Sequence, residues 1–131
     1  MADVFKFELV TPERMMLSED ANQVVVPGTE GDFTVLAGHA PVISTIRPGV
    51  VEASLGDSRT LRLFVKGGFA EVDANRLTVL AQRALEVDSL DASRLAAELE
   101  TAESELAAAA DDAQRFAAYA AVNRLRALQA R

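Results

Sequence analysis

This chain of 131 residues has no cysteine and no tryptophan, and only one histidine, His39, and one tyrosine. Without cysteine it can form no disulfide, no iron–sulfur cluster, no thiol nucleophile and no cysteine-containing zinc site. One imidazole likewise rules out the common multi-histidine metal centres. No apolar run approaches the roughly 18 residues that a bilayer-spanning helix needs. The first residues, MADVFKFELV, lack the basic and apolar pattern of a signal peptide. Positive charge is scarce too: 13 Lys and Arg stand against 20 Asp and Glu, a net charge of -7. An acidic surface repels phosphate backbones, so a nucleic-acid partner is not expected, and without a spanning run neither is direct membrane insertion. The expectation is a soluble, cytoplasmic domain, large enough to bury roughly two thirds of its unfolded surface without staples.

Glycine and proline are unevenly spread. All 7 glycines and all 4 prolines lie at or before Gly68, and the last 63 residues have neither. The first part reads as short strands. In FKFEL, Phe5, Phe7 and Leu9 share one face while Lys6 and Glu8 take the other. In TLRLFV, Leu61, Leu63 and Val65 oppose Thr60 and Arg62, and QVVV and RLTVL add β-favouring segments. Pro27-Gly28, Pro48-Gly49, Gly56-Asp57, Gly67-Gly68 and Asp73-Ala74-Asn75 supply the turns. Strands so closely spaced predict an antiparallel sandwich or barrel.

From about Ser89 the period changes. Ala92, Leu95, Leu99, Ala102, Leu106 and Ala109 form a helical seam, with Ser89 or Asp88 as candidate caps. A second seam runs through Ala118, Val122, Leu125 and Leu128, beside Ala121. Alanine fills 15 of the 41 residues from Asp91, so the faces are thin and their contact is expected to be shallow. The junction AAAADDAQ has no helix breaker, and Asp111 with Gln114 can form a capping box. Aspartate costs a helix only about 0.7 kcal/mol relative to alanine, so a folded hairpin and an extended rod are both accessible. Residues 91–110 carry five acids and one arginine, and 111–131 two acids and four arginines, so weak charge pairing across a hairpin is expected. The fold class is therefore a β-sandwich (1–86) followed by a two-helix tail (87–131).

Candidate chemistry is thin. His39 could be a base, but no nucleophile or orienting acid is placed beside it, and a loop-shaping histidine is the plainer reading. PGTEGDF and KGGF lack the phosphate-loop and dinucleotide patterns, which leaves turn glycines. Glu30 and Asp32 stand two apart, either as a carboxylate pair or as a solvated loop tip. Asp91 and Arg94 open LDASRLAAELE, either as a helix cap with a surface ion pair or as part of a polar site between helices. No catalytic constellation emerges, and an interaction and regulatory module fits the residues best.

Four segments in this order, VPGTEGDFTVLAGHAPVISTIRPGVV, VKGGFAEV, TVLAQRA and LDASR, followed by an alanine-rich tail, resemble the epsilon subunit of bacterial F-type ATP synthase over essentially the whole chain. The resemblance implies a sandwich of about ten antiparallel strands with a helical hairpin. It implies a non-catalytic part of the proton-translocating rotor, peripheral on the cytoplasmic face of the inner membrane. The implied partners are the gamma subunit, the c-subunit ring and, through raised helices that block ATP hydrolysis, the alpha/beta catalytic head. Glu30, Gly31 and Asp32 match the family's c-ring contact loop, and Gly38, His39 and Pro41 match a turn close to the rotor interface. Ala37 stands where the family usually has proline. Some members bind ATP on the folded hairpin; here Asp91, Arg94 and Arg124 match that site, but Leu95 and Ala120 depart from it. Nucleotide binding is accordingly expected to be weak or absent, with no cofactor. The alternative is an ATP-sensing hairpin whose occupancy sets the tail's conformation.

Overall fold

The computed structural model describes residues 3–130; Met1, Ala2 and Arg131, which fall within the spans and charge tally above, lie outside the described residues. Nine strands come first: β1 (Phe5–Val10), β2 (Met15–Gly28), β3 (Gly31–Leu36), β4 (Val42–Ile46), β5 (Gly49–Leu55), β6 (Thr60–Val65), β7 (Gly68–Val72), β8 (Arg76–Ala81) and β9 (Ala84–Glu86). A short 3-10 turn, Val87–Ser89, leads to helices α1 (Ala92–Ala107) and α2 (Asp112–Gln129). The β-sandwich with a helical hairpin is thus the observed architecture, with nine strands among the described residues rather than about ten.

One layer runs β1-β8-β7-β4 and the other β3-β2-β5-β6-β9. The 14-residue β2 belongs to both, pairing with β1 through its first half and with β3 and β5 through its second. A register shift between Ala21 and Gln23 marks the crossing, as a bulge does when it bends a strand into a new plane. Pairing is antiparallel except between β1 and β8, which run parallel. That exception was invisible in the sequence, because no short connection links two strands so far apart along the chain.

The alternation read from the sequence decides the core. Phe5, Phe7 and Leu9 from β1 meet Val24 and Val26, Val51 and Ala53, Leu63 and Val65, and Leu77 and Val79 in one apolar cluster. At the β7–β8 hairpin the chains approach so closely that a Cβ on Gly68 would lie 1.9 Å from the Leu80 carbonyl oxygen, at a φ of +129°. Only glycine fits there.

A second cluster joins the hairpin to the sandwich: Phe64 and Leu85 from the sheet, Leu95, Leu99 and Ala102 from α1, and Ala121, Val122, Leu125 and Leu128 from α2. Phe64 points opposite to Leu63 and Val65, so β6 is apolar on both faces near its end. A continuous apolar run of this kind belongs to a strand covered from both sides. Burying Phe64 fully is worth about 1.5–3 kcal/mol.

The second helical seam holds as read, with Ala118, Ala121, Val122, Leu125 and Leu128 all buried. The first is shorter: Ala92 is exposed, and Ala109 lies beyond the end of α1. Neither Asp88 nor Ser89 caps α1, because both are used in the 3-10 turn. Asp91 does so, its carboxylate accepting from the Arg94 backbone N–H at 2.7 Å. At the junction, Asp111 accepts from Gln114 N–H at 2.8 Å, while the Gln114 side chain accepts from Ala110 N–H at 2.9 Å. These two bonds fix the break between the helices, and Arg126 to Glu103 at 2.8 Å adds one cross-helix ion pair.

Candidate functional site

The acidic loop turns tightly between β2 and β3. A Cβ on Gly28 would stand 2.7 Å from the Gly31 carbonyl oxygen, and Gly31 adopts a φ of +130°. Two backbone bonds tie the loop to the end of β4, Thr29 N–H to Thr45 O and Arg47 N–H to Pro27 O, both 3.0 Å. Arg47, just beyond β4, reaches back into the turn. Its Nη2 meets Asp32 Oδ1 at 2.5 Å, and its Nη1 donates to the Gly28 carbonyl. Glu30 stands at the tip, exposed, and belongs to no ion pair among the described residues. Beside the loop, Asp32, Arg47 and Gly49 line a cleft of about 380 Å³ whose opposite wall is Ala120, Asn123 and Arg124 of α2.

The turn at Gly38, His39 and Pro41 lies at the far end of β3, not beside the acidic loop. A strand rises about 3.4 Å per residue, so the six residues of β3 hold the two features roughly 20 Å apart. The turn therefore does not shape the loop that carries Asp32. It rests instead on the β7–β8 connection, where Gly38 N–H donates to Ala74 O at 2.8 Å. The His39 Nδ1 lies 2.7 Å from its neighbour's carbonyl, Ala40 O, and so acts as a donor that shapes the turn. No group of three or more metal-ligating side chains occurs among the described residues.

Asp91, Arg94 and Arg124 are not brought to one cavity. Asp91 is occupied as the cap of α1, and the Arg94 side chain leans toward Glu98, at 4.0 Å, rather than toward Asp91. Arg124 faces the other flank of the hairpin, in the cleft with Asp32 and Arg47, where its Nε is buried without a partner. Beneath α1 lies a charge that the sequence did not advertise. Glu98 is buried, with Oε2 2.5 Å from Arg83 Nη2 and Oε1 buried without a partner. Among the described residues, Lys66 to Glu105 at 3.0 Å and Arg62 to Asp88 at 2.9 Å complete the ionic contacts of the tail with the sandwich.

Two surfaces remain apolar. On the outer face of β4 and β7, Ile43 is 71% exposed and Phe69 44%, interleaved with Thr45 and Glu71. On α2, Phe116 and Tyr119 are exposed, and Phe116 borders a groove of about 1010 Å³ between the helix junction and the strand ends at Thr45 and Gln82. No helix of the described residues is long and apolar enough to cross a membrane.

The profile of the ATP synthase delta/epsilon chain β-sandwich domain matches residues 4–87. The ATP synthase epsilon chain of Maricaulis maris is 46% identical over 130 residues, covering 99% of this chain and 97% of its own. That of Rhodospirillum rubrum is 46% identical over 115 residues, 88% of this chain and 86% of its own. The chain belongs to the ATP synthase epsilon-chain family. In the solved mitochondrial ATP synthase of Euglena gracilis, an assembly of OSCP, F1 and c-ring, one chain superposes with a TM-score of 0.74 at 24% identity, over 97% of this chain and 80% of that one. A chain of the Tetrahymena thermophila central stalk and c-ring gives a TM-score of 0.67 at 14% identity, over 95% and 96%. At such identities the two structures establish the shared fold.

For an epsilon-family chain, the informative residues that sequence reading passed over are Arg47, Phe64, Arg83 and Glu98. Phe64 had a signal, the unbroken apolar run LFV. Glu98 had a weaker one, since it lies three residues past Leu95 and next to Leu99 on the seam. Arg47 and Arg83 had none, because their partners are 15 residues away along the chain and meet them only through the turns.

Proposed function

We propose that this chain is a non-catalytic central-stalk subunit that couples the c-subunit ring to the gamma subunit at the cytoplasmic face of the membrane. The sandwich, residues 1–86, is the part that binds the rotor, and residues 87–131 form a tail that can leave it. The observation that carries this reading is the pair of distinct surfaces at different places on one rigid sandwich. A tight acidic loop at Glu30, Gly31 and Asp32 suits the polar loops of a c ring. The exposed Ile43 and Phe69 face, next to the Gly38–Pro41 turn, suits a contact with gamma through apolar anchors. Epsilon-chain relatives of nearly the same length support it, as does a fold shared with chains of stalk and c-ring assemblies.

The tail supplies regulation: released from the sandwich, its helices rise along gamma to the catalytic head and slow ATP hydrolysis. Its docking through side chains, with one buried and half-satisfied carboxylate, supports a release that costs little. The test is a pull-down against gamma with Ile43→Lys and Phe69→Glu, and with the chain ended after Val87. The face variants are expected to lose gamma, while the shortened chain keeps it. Retained binding in the face variants would move the gamma contact elsewhere. Hydrolysis by the reconstituted head is expected to rise when the tail is removed, and an unchanged rate would remove the regulatory role alone.

The ATP-sensing alternative is weaker, because Asp91 caps its helix, Arg94 leans toward Glu98 and Arg124 lines a cleft with Asp32 and Arg47. Calorimetry with MgATP is expected to show no binding heat at millimolar nucleotide.

A further inference from the structure

We infer that the Arg83–Glu98 pair sets the register of the docked tail: it selects the one position along β6 at which α1 seats, rather than adding to the strength of docking. The inference concerns docking within this chain and holds whatever the released tail does.

Glu98 is the only charged side chain buried among the described residues. A carboxylate taken out of water without full pairing costs free energy, so its place in the docked face needs a reason. The apolar pattern of α1 does not supply one. In the observed register Leu95, Glu98, Leu99 and Ala102 are turned inward, while Ala92 and Ala96 are exposed. A slide of three residues would bring Ala92, Leu95, Ala96 and Leu99 to the same four places. That face again carries two leucines, and the slide would return Glu98 to water. It amounts to about 4.5 Å along the helix axis. Unwinding the three-residue 3-10 turn Val87–Ser89 into extended chain yields about 4 Å, so the tether does not forbid it.

The ion pair separates the two registers. Arg83 sits on the short connection between β8 and β9, where its carbonyl accepts from Lys66 N–H at 3.0 Å, so the cation is anchored to the sheet. Its Nη2 lies 2.5 Å from Glu98 Oε2. After the slide Leu95 would face Arg83, and the pair would be lost. Arg94, 4.0 Å from the same carboxylate, travels on the same helix and cannot sense the register. Lys66–Glu105 and Arg62–Asp88 would stretch too, but their acids are about half exposed, and pairs of that kind contribute little. A buried pair that adds little net stability can still fix one arrangement among several, which is the best-attested role of such groups.

The test reads the docked position in the full chain. Because the sequence has no cysteine, Thr60→Cys and Ser104→Cys provide two unique attachment points for spin labels, both at exposed sites. Asp88 meets Arg62 and Glu105 meets Lys66, so α1 lies along β6 and the slide lengthens the distance between the labels. The labelled parent is expected to give a single narrow distance by pulsed electron spin resonance. Arg83→Ala is expected to move most molecules to a second distance about 4–5 Å longer, where Glu98 regains water. The double variant Arg83→Ala/Glu98→Ala, whose two registers present matching apolar faces, is expected to divide between both distances. Glu105→Gln is expected to keep the single distance. One unchanged distance in both Arg83 variants overturns the inference, as does a second distance produced by Glu105→Gln. A broad spread in the double variant, the mark of a hairpin that has left the sheet, also overturns it, because the pair would then hold docking and not its register.

Discussion

Phe7, Leu9, Val24 and Val26 in the sandwich core have no exposed surface, whereas Leu95, Leu99 and Leu128 beneath the hairpin keep 8–9% of theirs. The two interiors differ in construction as well as in completeness. Every strand is tied to a neighbour by backbone hydrogen bonds, but among the described residues no backbone bond outside the elements joins α1 or α2 to a strand. The hairpin is held by side chains alone: an apolar patch centred on Phe64 and three ion pairs, one of which buries a carboxylate. A sheet ladder cannot be lifted away in part without stranding buried backbone groups, which is costly. A side-chain interface can separate as a unit, with water replacing each contact. The difference locates the soft joint of this protein between the sandwich and its tail.

The largest effect that would break this comparison comes from Phe7→Ala. Deleting a fully buried phenylalanine from the sandwich is expected to lower global stability by about 3–5 kcal/mol, seen as an earlier denaturant midpoint for the whole chain. Phe64→Ala removes the same side chain from the other interior and is expected to cost about 3 kcal/mol. That loss should fall on the tail first, so that hydrogen exchange accelerates in α1 and α2 while β1 and β8 stay protected. Equal acceleration in strands and helices would show a single cooperative core and no soft joint.

The buried ion pair gives a sharper contrast. Arg83→Ala leaves the buried Glu98 with only the longer contact to Arg94 at 4.0 Å, and is expected to loosen the hairpin by about 1–2 kcal/mol, since Arg83 itself is half exposed. Replacing both partners, Arg83→Leu with Glu98→Leu, is expected to be neutral or to tighten docking by about 1 kcal/mol. Exchange rates of the α1 amides distinguish the two, and a loosened double variant would show that the pair is a net attraction. Asp91→Ala removes the cap of α1 and is expected to cost about 1 kcal/mol, confined to fraying of the first turn.

The smallest effect lies on the exposed β5–β6 turn. The side-chain hydrogen bond from Arg59 holds the Asp57 carboxyl below its usual value of 3.8. Because the folded-state value is depressed, the turn's contribution is present above the unfolded value and fades as pH falls through the folded one. The difference in unfolding midpoint between the wild type and Asp57→Asn is therefore expected to be small near neutral pH and to vanish on acidification. A difference that grew in acid would reverse the sign of this contact.

Much of the fold was legible residue by residue. Phe5, Phe7 and Leu9 announced a strand with one buried face, and the three- and four-residue apolar spacing from about Ser89 announced the change to helices. Val122, Leu125 and Leu128 announced the buried stripe of α2. The cap of α1 was read one turn too early, because Asp88, Ser89 and Asp91 are all competent caps and only the 3-10 turn selects among them. The candidate site was legible as a loop and not as an arrangement. The acidic loop and the Gly38–Pro41 turn are only a few residues apart in the sequence, but the six-residue strand β3 separates them in space.

Periodicity, turn residues and caps act over one to four neighbours, so the sequence by itself determined where strands and helices form, which faces are apolar and where the two architectures meet. Which charges find each other is a different kind of fact. Arg47 meets Asp32, Arg83 meets Glu98, and β1 lies parallel to β8 only because the crossing of β2 and the packing of two layers bring distant segments together. Electrostatic partnership depends on separations of a few ångströms, and those separations are set by the assembled layers and not by any local stretch of chain. Only the tertiary structure could decide that Asp32 is engaged within the chain while Glu30 faces outward.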